Sequence, residues 1–252
     1  KANKQYGLFV VEFSTGEIRC LINKALKTAP AWSPDSMKIA IGNTEGYKRY
    51  HPLVIVDVKS GKVTDTEVEG VGASWSPDGR YLAFSSKVVR GGSWFKGVPV
   101  DGRIAVYDLE EKKLVYVTAA AVSNYDEETG KLERQGSLHP VWSVDGQRIA
   151  YWRTEEFCES KETEKQETKT TWIVKKDGQI PLKVADGFNQ LGWGRDNQSL
   201  FILKDTQIDR IDLKSLETRT LVSWEQAQAP TPKPVLDIVP AAVRTYIADH
   251  FR

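Results

Sequence analysis

Two cysteines, one methionine and three histidines are the whole supply of soft and imidazole ligands in 252 residues. Cys20 and Cys158 lie far apart in no metal-like spacing. Two unpaired thiols are therefore the first reading and a single disulfide the second. His51, His139 and His250 are equally scattered, so no metal site is expected. Charge of one sign is missing too: 35 Lys and Arg against 34 Asp and Glu leave a net +1. Such a balance provides no bulk field to recruit nucleic acid or an anionic membrane. No apolar run approaches the ~18 residues of a transmembrane segment. There is no Gly-x-Ser-x-Gly elbow, phosphate loop or Gly-x-Gly-x-x-Gly fingerprint, and no cofactor is expected. GGSWF at 91–95 lacks the closing glycine of the elbow, and NYDEETGKLE at 124–133 fails the acid spacing of a calcium loop. The chain opens at Lys1, and loss of an upstream leader, anchor or domain is expected.

Aromatic residues, by contrast, are plentiful: eight Trp and nine Tyr favour a sheet-rich protein over a helical bundle. AWSPDSMKIAIG (31–42) is echoed by SWSPDGRYLAFS (74–85), VWSVDGQRIAYW (141–152) and a worn copy, GWGRDNQSLFIL (192–203). Trp32, Trp75, Trp142 and Trp193 are each followed three residues later by Asp35, Asp78, Asp145 and Asp196. Ser36, Gly79, Gly146 or Asn197 comes next, and the chain turns apolar at Ile39, Leu82, Ile149 and Leu200. Pro, Asp and Gly in this order build a tight hairpin. Each Trp thus ends one strand, and the apolar run is the strand paired with it.

A second pattern alternates with the first: LFVVEFSTGEI (8–18), LVIVDVKSGKV (53–63), IAVYDLEEKKL (104–114) and IDRIDLKSLET (208–218), with TWIVKKDGQI (171–180) as a degraded member. Apolar residues, an acid (Glu12, Asp57, Asp108 or Asp212) and a polar turn make each a hairpin of a half-exposed sheet. Two hairpins give a four-stranded antiparallel unit, a-b-c-d, with the Trp on strand a. Tryptophan intervals of 43, 67 and 51 residues fit a propeller blade of roughly 40–45 residues plus insertions. The expected fold is an all-β propeller of about five blades over 1–224, the first incomplete, with each indole wedged between neighbouring blades. Residues 225–252 read as a proline-rich connector and an amphipathic helix, with Val243, Ile247 and Phe251 on one side.

Strand order places the a–b and c–d turns at one end of the blades and the b–c and d–a connections at the other. The first set is short; the second holds 43–52, 85–103, 118–137 and 153–169. Connections of this length are uncommon unless functional or disordered. The segment 153–169, rich in Glu, Lys and Thr, reads as a mobile charged flap. The basic and aromatic residues of the other connections form the candidate binding set: Tyr47, Arg49, His51, Arg90, Trp94, Phe95, Lys96 and Tyr125. Such side chains suit an anionic or sugar-like ligand, a carboxylate terminus or an acidic protein surface.

Trp-Ser-Pro-Asp-Gly followed by Leu-Ala-Phe, as in 75–84, resembles the repeat of TolB-like β-propellers and of propeller domains in prolyl-oligopeptidase-type peptidases. The resemblance spans roughly residues 6–222, well kept at 32–41, 75–84 and 142–151 and weak at 193–202. It implies a fold and leaves activity open, because propellers host unrelated functions. The leading expectation is a non-enzymatic scaffold, extracytoplasmic (periplasmic or secreted), binding a protein or peptide through the long-loop end. The alternative is an enzyme-associated propeller, either the lid of a hydrolase or a small glycosidase acting through paired carboxylates. A purely structural role in an assembly stands third.

Overall fold

A computed structural model describes residues 7–23, 26, 28–42, 52–86, 94–95, 98–99, 102–119, 122–126, 128–164, 166–187, 190–204 and 206–223. The expected helix at 240–251 and the connector before it lie outside these residues. Within them the chain is an all-β propeller array in which every strand pair is antiparallel.

Blade I is a half-blade of β1 (Leu8–Val11) and β2 (Ile18–Ile22). Blade II comprises β3 (Ala31–Trp32), β4 (Lys38–Gly42), β5 (Pro52–Asp57) and the first half of β6 (Val63–Trp75). The second half of β6 is the innermost strand of blade III, followed by β7 (Tyr81–Ser86), β10 (Arg103–Asp108) and β11 (Lys113–Tyr116). A small hairpin, β8 (Trp94–Phe95) with β9 (Val98–Pro99), interrupts the connection from β7 to β10. Blade IV contains β13 (Leu132–Trp142), β14 (Arg148–Cys158), β15 (Gln166–Lys175) and β16 (Leu182–Asp186), with β12 (Val122–Tyr125) added beside β13. Blade V is β17 (Gln190–Trp193), β18 (Ser199–Leu203), β19 (Gln207–Asp212) and β20 (Thr218–Ser223).

Blades II and III were expected as separate sheets, but β6 joins them into one of seven strands. Val63 to Glu69 pairs with β5, and Gly70 to Trp75 pairs with β7. The change of partner occurs where Glu67 (φ 62°) and Gly72 (φ 63°) turn the backbone left-handed, so the strand bends without breaking.

Four apolar clusters fill four seams. Leu8 of blade I packs with Ile39, Ile41, Val54 and Val56 of blade II. Ala40 and Leu53 of blade II join Trp75, Leu82 and Phe84 of blade III. Ala83 and Ile104 of blade III join Trp142 and Ile149 of blade IV, and Ala150 and Ile173 of blade IV join Leu200 of blade V. The tryptophans have a polar task in these seams as well. The indole N–H of Trp75 donates to the carbonyl of Ala31 (3.0 Å), that of Trp142 to Ser74 (3.1 Å) and that of Trp193 to Val141 (3.0 Å). Each acceptor is the residue immediately before the tryptophan of the preceding blade. Trp75 and Trp142 are buried, whereas Trp32 is 48% exposed, so the expected wedge role fails at Trp32.

The turns repeat as closely as the seams. Ser33, Ser76 and Ser143 donate hydroxyls to Asp35 (2.5 Å), Asp78 (2.5 Å) and Asp145 (2.6 Å). The same hydroxyls accept the backbone N–H of Lys38, Tyr81 and Arg148. Ser36, Gly79, Gly146 and Asn197 all have φ between 54° and 72°, the left-handed step of a hairpin closed by a bulge. In blade V the serine after the tryptophan is Gly194, and the hydroxyl has moved to Ser199, which bonds Asp196 at 2.8 Å. A Cβ on Gly194 would lie 2.3 Å from that hydroxyl, so the glycine makes room for the relocated group.

Replacing Trp75 or Trp142 by Phe leaves a part-buried carbonyl without its donor and removes packed volume. Each change is expected to lower stability by about 2–4 kcal/mol in denaturant unfolding. The same change at exposed Trp32 should cost less than about 1 kcal/mol.

Candidate functional site

Two connections at the long-loop end, 118–137 and 153–169, are more ordered than their composition suggests. Both were expected as loops, the second as a mobile flap. Instead β13 and β14 remain paired from Trp142–Ile149 out to Leu132–Cys158, and β14 with β15 out to Phe157–Gln166. With β12 alongside, blade IV projects a four-stranded extension. The charges that mimic a solvated loop are distributed over an antiparallel ladder whose backbone groups bond one another. Such strands need no apolar face of their own because their inner ends continue into the blade.

The two hairpin tips are pinned together. Asp126 accepts the N–H groups of Glu128 (2.9 Å) and Thr129 (3.1 Å), so the segment compared with a calcium loop is a hairpin turn. Lys161 N–H donates to the Thr129 carbonyl at 3.1 Å. Gly130 sits at φ 77°, where a Cβ would approach the Lys161 backbone nitrogen to 2.7 Å. On one side of the ladder Glu155, Phe157 and Glu133 are exposed, and Arg153 is held by Glu155 at 2.8 Å. On the other side Thr154 and Glu156 are buried.

Below the extension, in the seam between blades III and IV, lies a crevice of about 270 Å³ bordered by Tyr116, Thr118, Gln135, Tyr151, Arg153 and Trp172. Burial pushes the Tyr151 phenol up to about 12, so it keeps its proton across the physiological range. The guanidinium of Arg103 lies 3.2 Å from the Tyr116 ring centroid, and that of Arg153 lies 5.1 Å from the Trp172 ring centroid. Toward the short-turn end of the same seam, Arg80 binds Asp108 (2.7 Å), Glu110 (3.0 Å) and Glu111 (3.2 Å). The hydrogen bond from Arg80 holds the Asp108 carboxyl below its usual range.

The innermost strands of blades III and IV meet at matched bulges three residues before their tryptophans. Gly72 and His139 are both left-handed there, at φ 63° and 51°. The His139 N–H donates to the Ser85 hydroxyl across the seam at 3.2 Å. Its ring lies 4.3 Å from that of Trp152, and burial lowers its pKa below the ordinary 6.5. The sequence reading missed this junction. The signal was the register, since Gly72 and His139 both precede Trp by three residues.

Of the eight candidate binding residues, Tyr47, Arg49, His51, Arg90 and Lys96 lie outside the described residues. Trp94 and Phe95 form β8, and Tyr125 ends β12 opposite Leu132; their side chains are likewise outside the description. The repeated acids are turn groups: Asp57 accepts from Ser60, and Asp212 from Lys214 and Ser215. Cys20 and Cys158 are free thiols. Among the described residues no three His, Cys, Asp or Glu stand together as metal ligands. No helix among them is long and apolar enough to cross a membrane.

Blades of this order, linked by a repeated tryptophan seam, give the chain an all-β propeller architecture. The similar solved structures include TolB from Acinetobacter baumannii, at 12% identity and TM-score 0.38, with 86% of this chain and 62% of that one covered. Oligogalacturonate lyase from Vibrio parahaemolyticus gives 11%, 0.40, 86% and 71% for the same four quantities. Acylaminoacyl peptidase from Pyrococcus horikoshii gives 16%, 0.49, 78% and 32%. The chain thus spans 62% of the TolB chain and about a third of the archaeal peptidase. No family model and no curated protein sequence matches it.

Gly130→Ala is expected to separate the two hairpin tips without unfolding the blades. Hydrogen exchange should speed up at 122–134 and 155–168 while the seam strands keep their protection. The junction at His139 carries a pH signature. The unfolded chain takes up a proton near pH 6.5, whereas the folded chain resists it. Stability is therefore complete above that pH and falls as the pH drops through the lowered folded value, with a slope no steeper than about 1.4 kcal/mol per pH unit. His139→Gln should flatten the decline between pH 7 and 5 in urea titrations.

Proposed function

We propose that this protein is a non-enzymatic propeller scaffold that binds a protein or peptide partner at the end carrying the long b–c and d–a connections. One observation supports it above the rest: at that end blade IV extends as an ordered four-stranded ladder, its two tips pinned by Lys161 and Thr129. Pre-ordered strands lose little conformational freedom on binding, in contrast to a solvated flap. The exposed mixture of Glu133, Glu155 and Phe157 suits a partner with basic side chains around an apolar contact. Arg90, Trp94, Phe95 and Tyr125 belong to the same proposed surface. We place the protein outside the cytoplasm, in keeping with the TolB-like repeat.

Of the enzyme-associated alternative, the small glycosidase would need a carboxylate pair free for chemistry, whereas the lid of a hydrolase would not. Asp35, Asp78, Asp145 and Asp196 are each engaged by hydroxyls or N–H groups of their own turns.

Cross-linking of the tagged protein in an extract of its source cells, read by mass spectrometry, tests the proposal. Cross-links to a common partner should concentrate on 85–103, 122–134 and 153–169. Arg90→Ala with Trp94→Ala, or Glu155→Lys with Phe157→Ala, should reduce capture of that partner at least fivefold. Cross-links concentrated on the short turns around Asp57, Asp108 and Asp212 would overturn the assignment.

A further inference from the structure

The face of blade IV that packs toward blade III carries two buried hydroxyls without hydrogen bonds. Strand register gathers this face: Tyr151 stands opposite Trp172, and Arg153 stands between Ser137 and Thr170. Tyr151 is 3% exposed and Ser137 6%, and neither hydroxyl makes a hydrogen bond among the described residues. Neither oxygen is sealed in, because both residues border the crevice of about 270 Å³ in this seam. Buried polar groups are nearly always bonded, so two unbonded ones on one wall call for partners from outside.

The wall that holds them is fixed. The Tyr151 ring packs among Ile104, Val106, Trp142, Ile149 and Val174. The Ser137 backbone N–H donates to the Gly102 carbonyl at 2.6 Å, which anchors the serine and leaves its hydroxyl unused. The Trp172 indole N–H donates to the Thr170 hydroxyl at 2.9 Å, so this ring too has a set orientation. Groups placed in advance lose little freedom when a ligand arrives.

The lining selects an uncharged ligand rich in hydroxyls. Arg153 and Asp177 are the charged groups that border the crevice, one of each sign. Arg153 already gives Nε (2.9 Å) and a terminal nitrogen (2.8 Å) to Glu155, so no uncompensated cation awaits an anion. What remains are the hydroxyls of Tyr151, Ser137 and Thr118 and the amide of Gln135, groups that both donate and accept. Burial raises the Tyr151 pKa to about 12, so the phenol stays a donor across the physiological range. Vicinal hydroxyls match such a lining, and the Trp172 ring offers a π-face to C–H groups. At about 270 Å³ the space falls just below the ~300–1,000 Å³ of a drug-sized site, which suits a single sugar ring.

We propose that this crevice binds a neutral hexopyranose, with the Tyr151 and Ser137 hydroxyls as its chief contacts. The inference does not rest on the protein-partner reading, whose surface uses neither hydroxyl.

The full chain is titrated with D-glucose, D-galactose and D-mannose while the Trp172 indole N–H resonance, assigned with Trp172→Phe, is followed. At least one sugar should shift it in a saturable way, with a dissociation constant of about 1–10 mM for a ligand of this size. Tyr151→Phe keeps the ring and removes only the hydroxyl. It should weaken that binding about fivefold or more while the melting temperature holds, and Ser137→Ala should act similarly. Glucuronate adds a negative charge and cyclohexanol keeps a ring with one hydroxyl; each should bind about fivefold more weakly than the best sugar. The proposal fails if no sugar saturates the shift by about 50 mM, or if Tyr151→Phe binds as tightly as the parent. It also fails if glucuronate or cyclohexanol binds as well as the best sugar, which would make the crevice an anion site or a plain apolar pocket.

Discussion

An indole buried between two sheets must satisfy its one N–H, and for Trp75, Trp142 and Trp193 the acceptor is supplied by the neighbouring blade. The carbonyls of Ala31, Ser74 and Val141 lie on innermost strands, one residue before the tryptophan that continues the chain of bonds. Each blade therefore fixes the angle and height of the next through a directional bond, while the alanine on the adjacent strand admits the ring. Apolar burial alone would hold the sheets together without fixing their register, since it is non-directional. The hydrogen bond adds the register. It also gives the array a sense of direction, in which blades III, IV and V each donate to their predecessor.

The turns make that relay reproducible. A serine hydroxyl bonded to an aspartate locks the hairpin behind each tryptophan, and behind Trp32, Trp75 and Trp142 it also accepts a backbone N–H. Neighbouring turns also touch: a Cβ on Gly146 would lie 3.5 Å from the Pro77 ring. Where Val144 replaces the proline, Asn197 of the next turn reaches back and accepts the Asp145 N–H at 3.0 Å. Blade V, which looks degenerate in sequence, keeps the same physics with relocated groups. Its hydroxyl comes from Ser199, and Arg148 lies 5.1 Å from its indole ring centroid.

Much of this was legible in the sequence because the repeat encodes local geometry. Trp, Pro, Asp and Gly at fixed spacing predicted the hairpins, the half-blade and the four complete blades with nearly correct strand ends. The insertions were misread for a definite reason. In 153–169 the apolar alternation that marks a half-buried strand is replaced by Glu, Thr and Lys, yet Thr154, Thr168 and Thr170 keep β-propensity while the backbone pairs on both sides. A ladder rooted in a blade does not need an apolar stripe, so a pattern search cannot detect it. The continuity of β6 was hidden because the bend at Glu67 uses a residue that rarely adopts a left-handed backbone. The candidate binding residues were chosen by composition, and their contacts depend on long-range placement that composition does not carry.

Directionality also explains why the two ends of the array have different chemistry. A closed ring with this relay would need every blade to present both a free carbonyl and a small residue eight positions after its own tryptophan. Ala40, Ala83 and Ala150 satisfy the second condition, and Phe201 does not. An indole approaching blade V in the manner of the other seams would meet an aromatic ring where the earlier blades offer a methyl group. Overpacking of that kind costs typically 1–3 kcal/mol, enough to offset the indole hydrogen bond that would accompany it. Blade V therefore differs from the earlier blades at this one position: it still donates to blade IV through Trp193, while Phe201 stands where they present an alanine.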